Sequence, residues 1–362
     1  MEKIIRVLHC VVKMDVGGAE NLIMNLYRSI DKNVIQFDFL TSLPGIYDEE
    51  IKKMGGKIYH IPYYKKTGMF SYYFNLLKFF KFNKYNTVHS HMDCISGVIL
   101  LAAKKRGVNK RISHSHSTKN SGNFIFKMYK NLCKLFINKA ANIKLACSKE
   151  AATWLYGNKA SGVIVIKNGI NMKNFIHNDQ TNIFLRKELN IPTDAFVIGH
   201  VGRFEKVKNH KFIIEIFDEF NKLFSNSFLV LIGNGSLINQ IKDFVATKKN
   251  SQNIIFIDNV LDIYNYYNLF NAFVLPSLYE GLPLTLIESQ TAGLDSFIST
   301  NITDEVNISK LIHKIDLKQS NKFWAQTILA TSTKNFINLE QISLSGFDIG
   351  DTLKKIVSIY KN

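Results

Sequence analysis

Short apolar runs alternate with stretches of helical periodicity along almost the whole chain. The runs at Ile4–Val12, Gln36–Leu40, Thr87–Ser90 and Arg111–His114 predict strands, followed in turn by helical patterns at Ala19–Ser29, Tyr47–Met54, Ser96–Lys105 and Phe124–Asn138. The alternation restarts with strands at Phe196–Val201, Phe228–Ile232, Ile254–Ile257 and Ala272–Leu275. Their helices are His210–Phe224, Leu237–Lys248, Asp262–Phe270 and Leu284–Thr291. Repeated βαβ units build parallel sheets covered by helices on both faces, so the expected class is α/β with two doubly wound, Rossmann-like domains. Between the two series, residues 168–182 lose periodicity and gather Asn, Gly and Asp, which marks a boundary. The expected division is 1–175, 176–340 and a C-terminal helix, 341–362, packing back on the first domain. Ligands of open parallel sheets bind beyond the carboxyl ends of the strands, so motifs are expected just after strands, with the two domains facing across a cleft.

Composition removes several classes. At 362 residues, 46% hydrophobic and 21% charged, the chain is too long for one core and too apolar for disorder. Its longest uncharged stretch, Ile263–Tyr279, contains three Asn and a Pro, so no transmembrane helix is expected. The opening MEKIIRVLHCVVKMD interrupts its apolar run with Arg6 and His9 and reads as a buried strand, not a signal peptide, which makes the cytoplasm the expected location. Cys10, Cys94, Cys133 and Cys147 form no C-x-x-C pair and are expected as plain core residues.

Charge is unevenly distributed. Residues 1–175 hold 28 Lys and Arg against 10 Asp and Glu, whereas residues 176–362 hold 18 against 19. Within 51–149 there are 20 basic residues and a single acid, Asp93, so an anionic partner is expected for the first domain. Tyr63-Tyr64-Lys65-Lys66 leads into MFSYYFNLLKFFKFNKY, where aromatic and aliphatic residues share a helix with Lys78, Lys81 and Lys84. FIFKMYKNLCKLFINK, residues 124–139, repeats the pattern. Two ordinary amphipathic helices packed on a sheet with solvated lysines outside are one reading of this pattern. The aromatic enrichment points to an anionic membrane surface, with Lys65, Lys66, Lys78, Phe79, Lys81, Phe82 and Lys84 as its contacts. Only six of the 46 basic residues are Arg, which argues against base-specific nucleic-acid recognition.

Three motifs follow predicted strands. Gly17-Gly18-Ala19-Glu20 opens a helix with paired glycines that let backbone amides approach a phosphate. Gly202-Arg203 with Lys208 places two cations in one loop, suited to a diphosphate leaving group. In Glu280-Gly281-Leu282-Pro283 and Glu288, two carboxylates flank a helix start, with Gly281 permitting close approach and Pro283 fitting the first turn. The H-x-H pairs His89/His91 and His114/His116 are read as alternating between opposite faces. Neither pair is then expected to chelate, and no metal is expected.

Together GGAE, GR followed by Lys208, and the E-x7-E pair resemble the family-4 retaining glycosyltransferases of GT-B architecture over nearly the whole chain. The resemblance implies that Glu288 holds ribose hydroxyls, that Glu280 and the amides of Gly281 and Leu282 contact the donor sugar, and that Arg203 and Lys208 neutralise the diphosphate without a metal or other cofactor. It also implies a first-domain histidine beside the reacting sugar, with His116 preferred to His114. The subgroup it resembles builds bacterial surface polysaccharide. The expected activity is transfer from a nucleotide sugar, with UDP as the base carrier, to a lipid-linked saccharide acceptor at the inner membrane face. A nucleotide-sugar 2-epimerase and a non-catalytic glycan or lipid binder are the alternatives. One departure stands out: Asp295 replaces the family's usual proline, and STNITDEVNIS replaces its glycine-rich turn.

Overall fold

The computed structural model describes residues 4–117, 124–332 and 343–362. The chain folds as two units, Met1–Ile170 with Ile349–Asn362, and Asn171–Asp348. The first crossing therefore comes at Ile170, short of the expected 175. The reason is local: Met172 and Phe175 are buried, and the Phe175 ring packs edge-on against Tyr264 and Tyr267 of the second unit.

The first unit is built on seven parallel strands: β1 (Ile5–Cys10), β2 (Ile35–Thr41), β3 (Ile58–His60), β4 (Thr87–Ser90), β5 (Lys110–Ser115), β6 (Ile143–Ala146) and β7 (Ile164–Val165). Their order is β3-β2-β1-β4-β5-β6-β7. Side chains alternate between two cores. Val7 joins one with α1 (Gly18–Ser29), α2 (Asp48–Lys53) and the C-terminal helix Ile349–Lys361, while Leu8 and Cys10 join the other. That second core receives α3 (Tyr64–Thr67), α4 (Met69–Phe82), α5 (Ser96–Lys105) and α6 (Phe124–Ala140). Last comes α7 (Lys149–Tyr156), with Ser148 capping its first turn. All of β2 is buried, including Asp38, which a sheet interior tolerates only when paired. Arg6 forks onto both its oxygens at 2.7 and 2.6 Å, and Tyr85 and the Lys57 amide donate to it at 2.8 Å.

The second unit carries six parallel strands: β8 (Phe196–Val201), β9 (Ser227–Ile232), β10 (Ile254–Ile257), β11 (Ala272–Leu275), β12 (Ser296–Ser299) and β13 (Ile312–Ile315), in the order β10-β9-β8-β11-β12-β13. Its helices are α8 (Asp179–Glu188), α9 (His210–Leu223), α10 (Ile238–Ala246), α11 (Ile263–Tyr266), α12 (Leu284–Thr291) and α13 (Asn321–Thr331). Ile213, Ile216, Phe217 and Phe220 of α9 pack with Trp324 and Ile328 of α13 over β8 and β9. Both units are doubly wound, so strand ends carry the chemistry in each.

Candidate active site

In the second unit, the loops after β8 and β11 bring two of the predicted residues, Lys208 and Glu280, together. Lys208 Nζ lies 2.7 Å from Glu280 Oε1, and Ser277 Oγ donates to the same oxygen at 2.8 Å. Both charged side chains retain only 14% exposure, so this pair is partly shielded from water. The Leu278 amide donates to Val207 O at 2.8 Å and joins the loops through their backbones. Asn209, in a left-handed conformation at φ 59°, turns the chain from Lys208 into α9 and donates its side-chain amide to Pro276 O. Arg203 is exposed and has no carboxylate partner among the described residues.

Glycines hold this loop against its neighbour. A side chain at Gly233, where φ is 139°, would collide with Gly202 O at 2.3 Å, and one at Gly235 would strike the Phe204 backbone at 2.6 Å. The GNGS segment after β9 therefore lies directly on the GR loop, held by Phe204 N to Asn234 O and Leu237 N to Phe204 O. The close packing of Gly233 and Gly235 was not among the expectations, although G-N-G immediately after a strand signals it.

Glu288 is the fifth residue of α12 and is 7% exposed. Tyr267 donates to its Oε2 at 2.7 Å, and burial raises the carboxyl to about 7 against the opposing pull of that hydrogen bond. Thr285 Oγ1, one turn earlier, is buried without a partner. Pro283 is the residue before the helix, extended at φ −72° and ψ 110°, rather than part of its first turn. It therefore leaves α12 without a side-chain cap, with Gly281 exposed and Leu282 half-buried on the approach. Asp295 has a structural role in place of the expected proline: its carboxylate meets His313 Nε2 at 2.7 Å and ties β12 to β13. The following segment is held to α12 by Gln290, whose Oε1 accepts from the Ile308 and Ser309 amides.

In the first unit, Gly17 precedes α1 in an extended conformation, and the space beside Gly18 is open. His116, half-buried, follows β5, and its amide donates to Asp93 Oδ1 at 3.0 Å. Asp93 also accepts from Ser117 Oγ, so the one acid among residues 51–149 anchors the histidine segment.

The expectation that each H-x-H pair splits between opposite faces is corrected. Residues two apart on a strand share a face, and the ring centroids are 4.1 Å apart in both His89/His91 and His114/His116. His9 aligns with His89 across β1 and β4, so five imidazoles gather at adjacent strand ends. Phe79 is also corrected as a membrane contact. It is 8% exposed, packed on Tyr59, Phe80 and Tyr85, because that side of α4 faces the core. Phe82 is 70% exposed, and Lys65, Lys66, Lys78, Lys81 and Lys84 are exposed.

Similarity to known proteins agrees with this layout. The Glycosyltransferase Family 4 profile matches residues 16–174, and that of Glycosyl transferases group 1 matches residues 181–303. The chain is 33% identical to the putative glycosyltransferase EpsF of Bacillus subtilis, over 98% of this chain and 96% of that one. It is 28% identical to the capsular polysaccharide biosynthesis glycosyltransferase CapH of Staphylococcus aureus, over 98% of each. Among solved structures, Anabaena HepE in complex with UDP and glucose superposes with a TM-score of 0.78 at 14% identity, covering 99% of this chain and 100% of that one. Two parallel Rossmann-like sheets of the GT-B kind, paired motifs after β8 and β11, and likeness to EpsF from end to end establish that the chain belongs to the family-4 glycosyltransferases.

Proposed function

We propose that the protein is a retaining glycosyltransferase that moves a sugar from a nucleoside-diphosphate sugar, with UDP as carrier, to a membrane-anchored saccharide in capsular or exopolysaccharide synthesis. The observation that carries this reading is the pairing of Lys208 with Glu280 between the loops after β8 and β11, with Glu288 buried in the helix that follows the second loop. Glu288 accepts hydroxyls of the ribose. Glu280 and the amides of Gly281 and Leu282 hold the donor sugar, and Lys208, steadied by Glu280, meets the diphosphate with Arg203. CapH supports the polysaccharide setting, and the UDP complex of HepE supports the carrier.

In the step itself, the bond between the anomeric carbon and the diphosphate oxygen breaks as the acceptor hydroxyl oxygen bonds to that carbon on the same face. The hydroxyl proton passes to the departing phosphate oxygen, so configuration is kept without a protein nucleophile. Negative charge grows on the leaving diphosphate, where fixed cations lower the barrier most. Arg203 and Lys208 fill the role that a divalent ion at the diphosphate has elsewhere, so added Mg2+ is not expected to raise turnover. Gly17 and Gly18 are assigned to a donor phosphate through their backbone amides, and His116 to the reacting sugar.

The acceptor is drawn from the inner membrane face by α4 and α6. Phe70, Phe74 and Phe82 of α4 are 86%, 64% and 70% exposed and share a face with Lys78 and Lys81. Met128, Leu132 and Leu135 repeat this on α6; the side chains of residues 124–127, 129 and 130 lie outside the described set. Among the described residues no helix is long and apolar enough to cross a membrane. Release of UDP from a UDP-sugar, dependent on membrane lipid extract as acceptor, tests the function. Turnover that needs no lipid fraction contradicts the acceptor class.

A further inference from the structure

We propose that His91, His114 and His116 form a site for a divalent transition cation that prefers imidazole, with Zn2+ as its best occupant. One ring nitrogen of each lies within 4.8 Å of those of the other two. Three ligands around tetrahedral zinc at about 2.0–2.1 Å stand about 3.3 Å apart, so small side-chain rotations close the set.

The surrounding hydrogen bonds are compatible with the tautomers such a site requires. His89 Nδ1 faces the Tyr360 hydroxyl at 2.6 Å and His89 Nε2 faces His114 Nδ1 at 3.2 Å; with His89 Nδ1 as donor to the hydroxyl, its Nε2 accepts from His114 Nδ1. His114 Nε2 is then left with a lone pair, and it is buried without a partner. His9 Nδ1 and His91 Nε2 meet at 3.0 Å; with His91 as donor, its Nδ1 lone pair points to His116 Nε2 at 2.8 Å. On metal binding the His116 proton moves to Nδ1, a second buried nitrogen without a partner. His9, His89 and Tyr360 thus orient the ligands from behind, as outer-shell groups do around catalytic and structural zinc.

Burial and the neighbouring imidazoles hold His91 and His114 well below the usual histidine range, and burial brings His116 to about 3. All three are neutral at physiological pH and have lone pairs to offer. With nitrogen donors and no carboxylate in the set, Mg2+ and Ca2+ are disfavoured and Zn2+, Ni2+ or Cu2+ preferred. The overlapping trio His9, His89 and His91 is fully buried. The half-buried His116 gives the chosen trio a way in from solvent. Because His91 and His116 follow adjacent strands, the ion pins the ends of β4 and β5.

The test uses the untagged full chain, stripped by a chelator and titrated with Co2+ by visible absorption, then with Zn2+ against a chromophoric competitor. One equivalent with tetrahedral Co2+ bands is expected, undisturbed by excess Mg2+. His116→Ala should lower Zn2+ affinity by at least about 10- to 100-fold and His89→Phe by a similar factor, while His177→Ala leaves it unchanged. Circular dichroism checks that each variant folds. Imidazole 15N shifts in the unaltered chain locate the ion without any substitution. No saturable binding, full affinity in His116→Ala, or shifts confined to other histidines overturns the site.

Discussion

At Glu288, folding and donor binding pull in opposite directions. Its carboxyl is raised from 4.5 in the unfolded chain to about 7 in the fold by burial. Below pH 4.5 both states are protonated and nothing is lost; between 4.5 and about 7 the unfolded state ionises first, so stability falls with rising pH, by about 3 kcal/mol in all. Glu288→Gln abolishes that loss, and thermal melts should show the variant gaining on the parent as pH rises from 5 to 8. UDP affinity should instead increase with pH up to about 7 in the parent, because ribose hydroxyls donate best to the ionised form, and remain low and flat in Glu288→Gln. A parent whose UDP affinity ignores pH across this window removes the ribose assignment. Arg203 and Lys208 act where leaving-group charge develops. Either alanine variant should lose roughly 100-fold or more in turnover with a smaller loss in donor affinity. Equal losses in the two quantities, measured by single-turnover kinetics and calorimetry, indicate uniform binding instead.

Among the elements, α4 shows both what periodicity conveys and where it stops. Apolar spacing identified an amphipathic helix, but aromatic residues surround it: Tyr72, Phe79 and Phe80 are buried, whereas Phe70, Phe74 and Phe82 are exposed. Contact with α5 and the sheet sets the helix phase, and that is a tertiary fact absent from the spacing. The membrane hypothesis accordingly rests on the exposed set. Replacing Phe70, Phe74 and Phe82 by Ser should reduce co-sedimentation with anionic vesicles, with thermal stability little changed because none is buried. Lys78, Lys81 and Lys84 to Glu should reduce it further, each lysine contributing about 1 kcal/mol near an anionic bilayer. Equal recovery on neutral and anionic vesicles contradicts surface docking. The short strands β3 and β7 escaped the hydrophobic pattern for a different reason. Three and two residues are too few to display a period.

At the scale of the molecule, both sheets were legible because eight strands carry apolar runs long enough to alternate with helical patterns. The second-unit site was legible through residues close in sequence, such as Glu280 and Glu288 on one loop and helix. Tyr267, which grips Glu288 from beyond β11, had no such signal, and neither did Gln290 holding the loop after β12. The histidines were visible as two H-x-H pairs, but only strand register brings His9 into their company. The central claim is that the loops after β8 and β11 form a nucleoside-diphosphate site. Isothermal titration of UDP into the full chain and into Glu288→Ala tests it most directly. The prediction is one site in the parent and about 10- to 150-fold weaker binding in the variant, equivalent to about 1.5–3 kcal/mol for a lost charge-assisted hydrogen bond. Unchanged affinity in Glu288→Ala would contradict it.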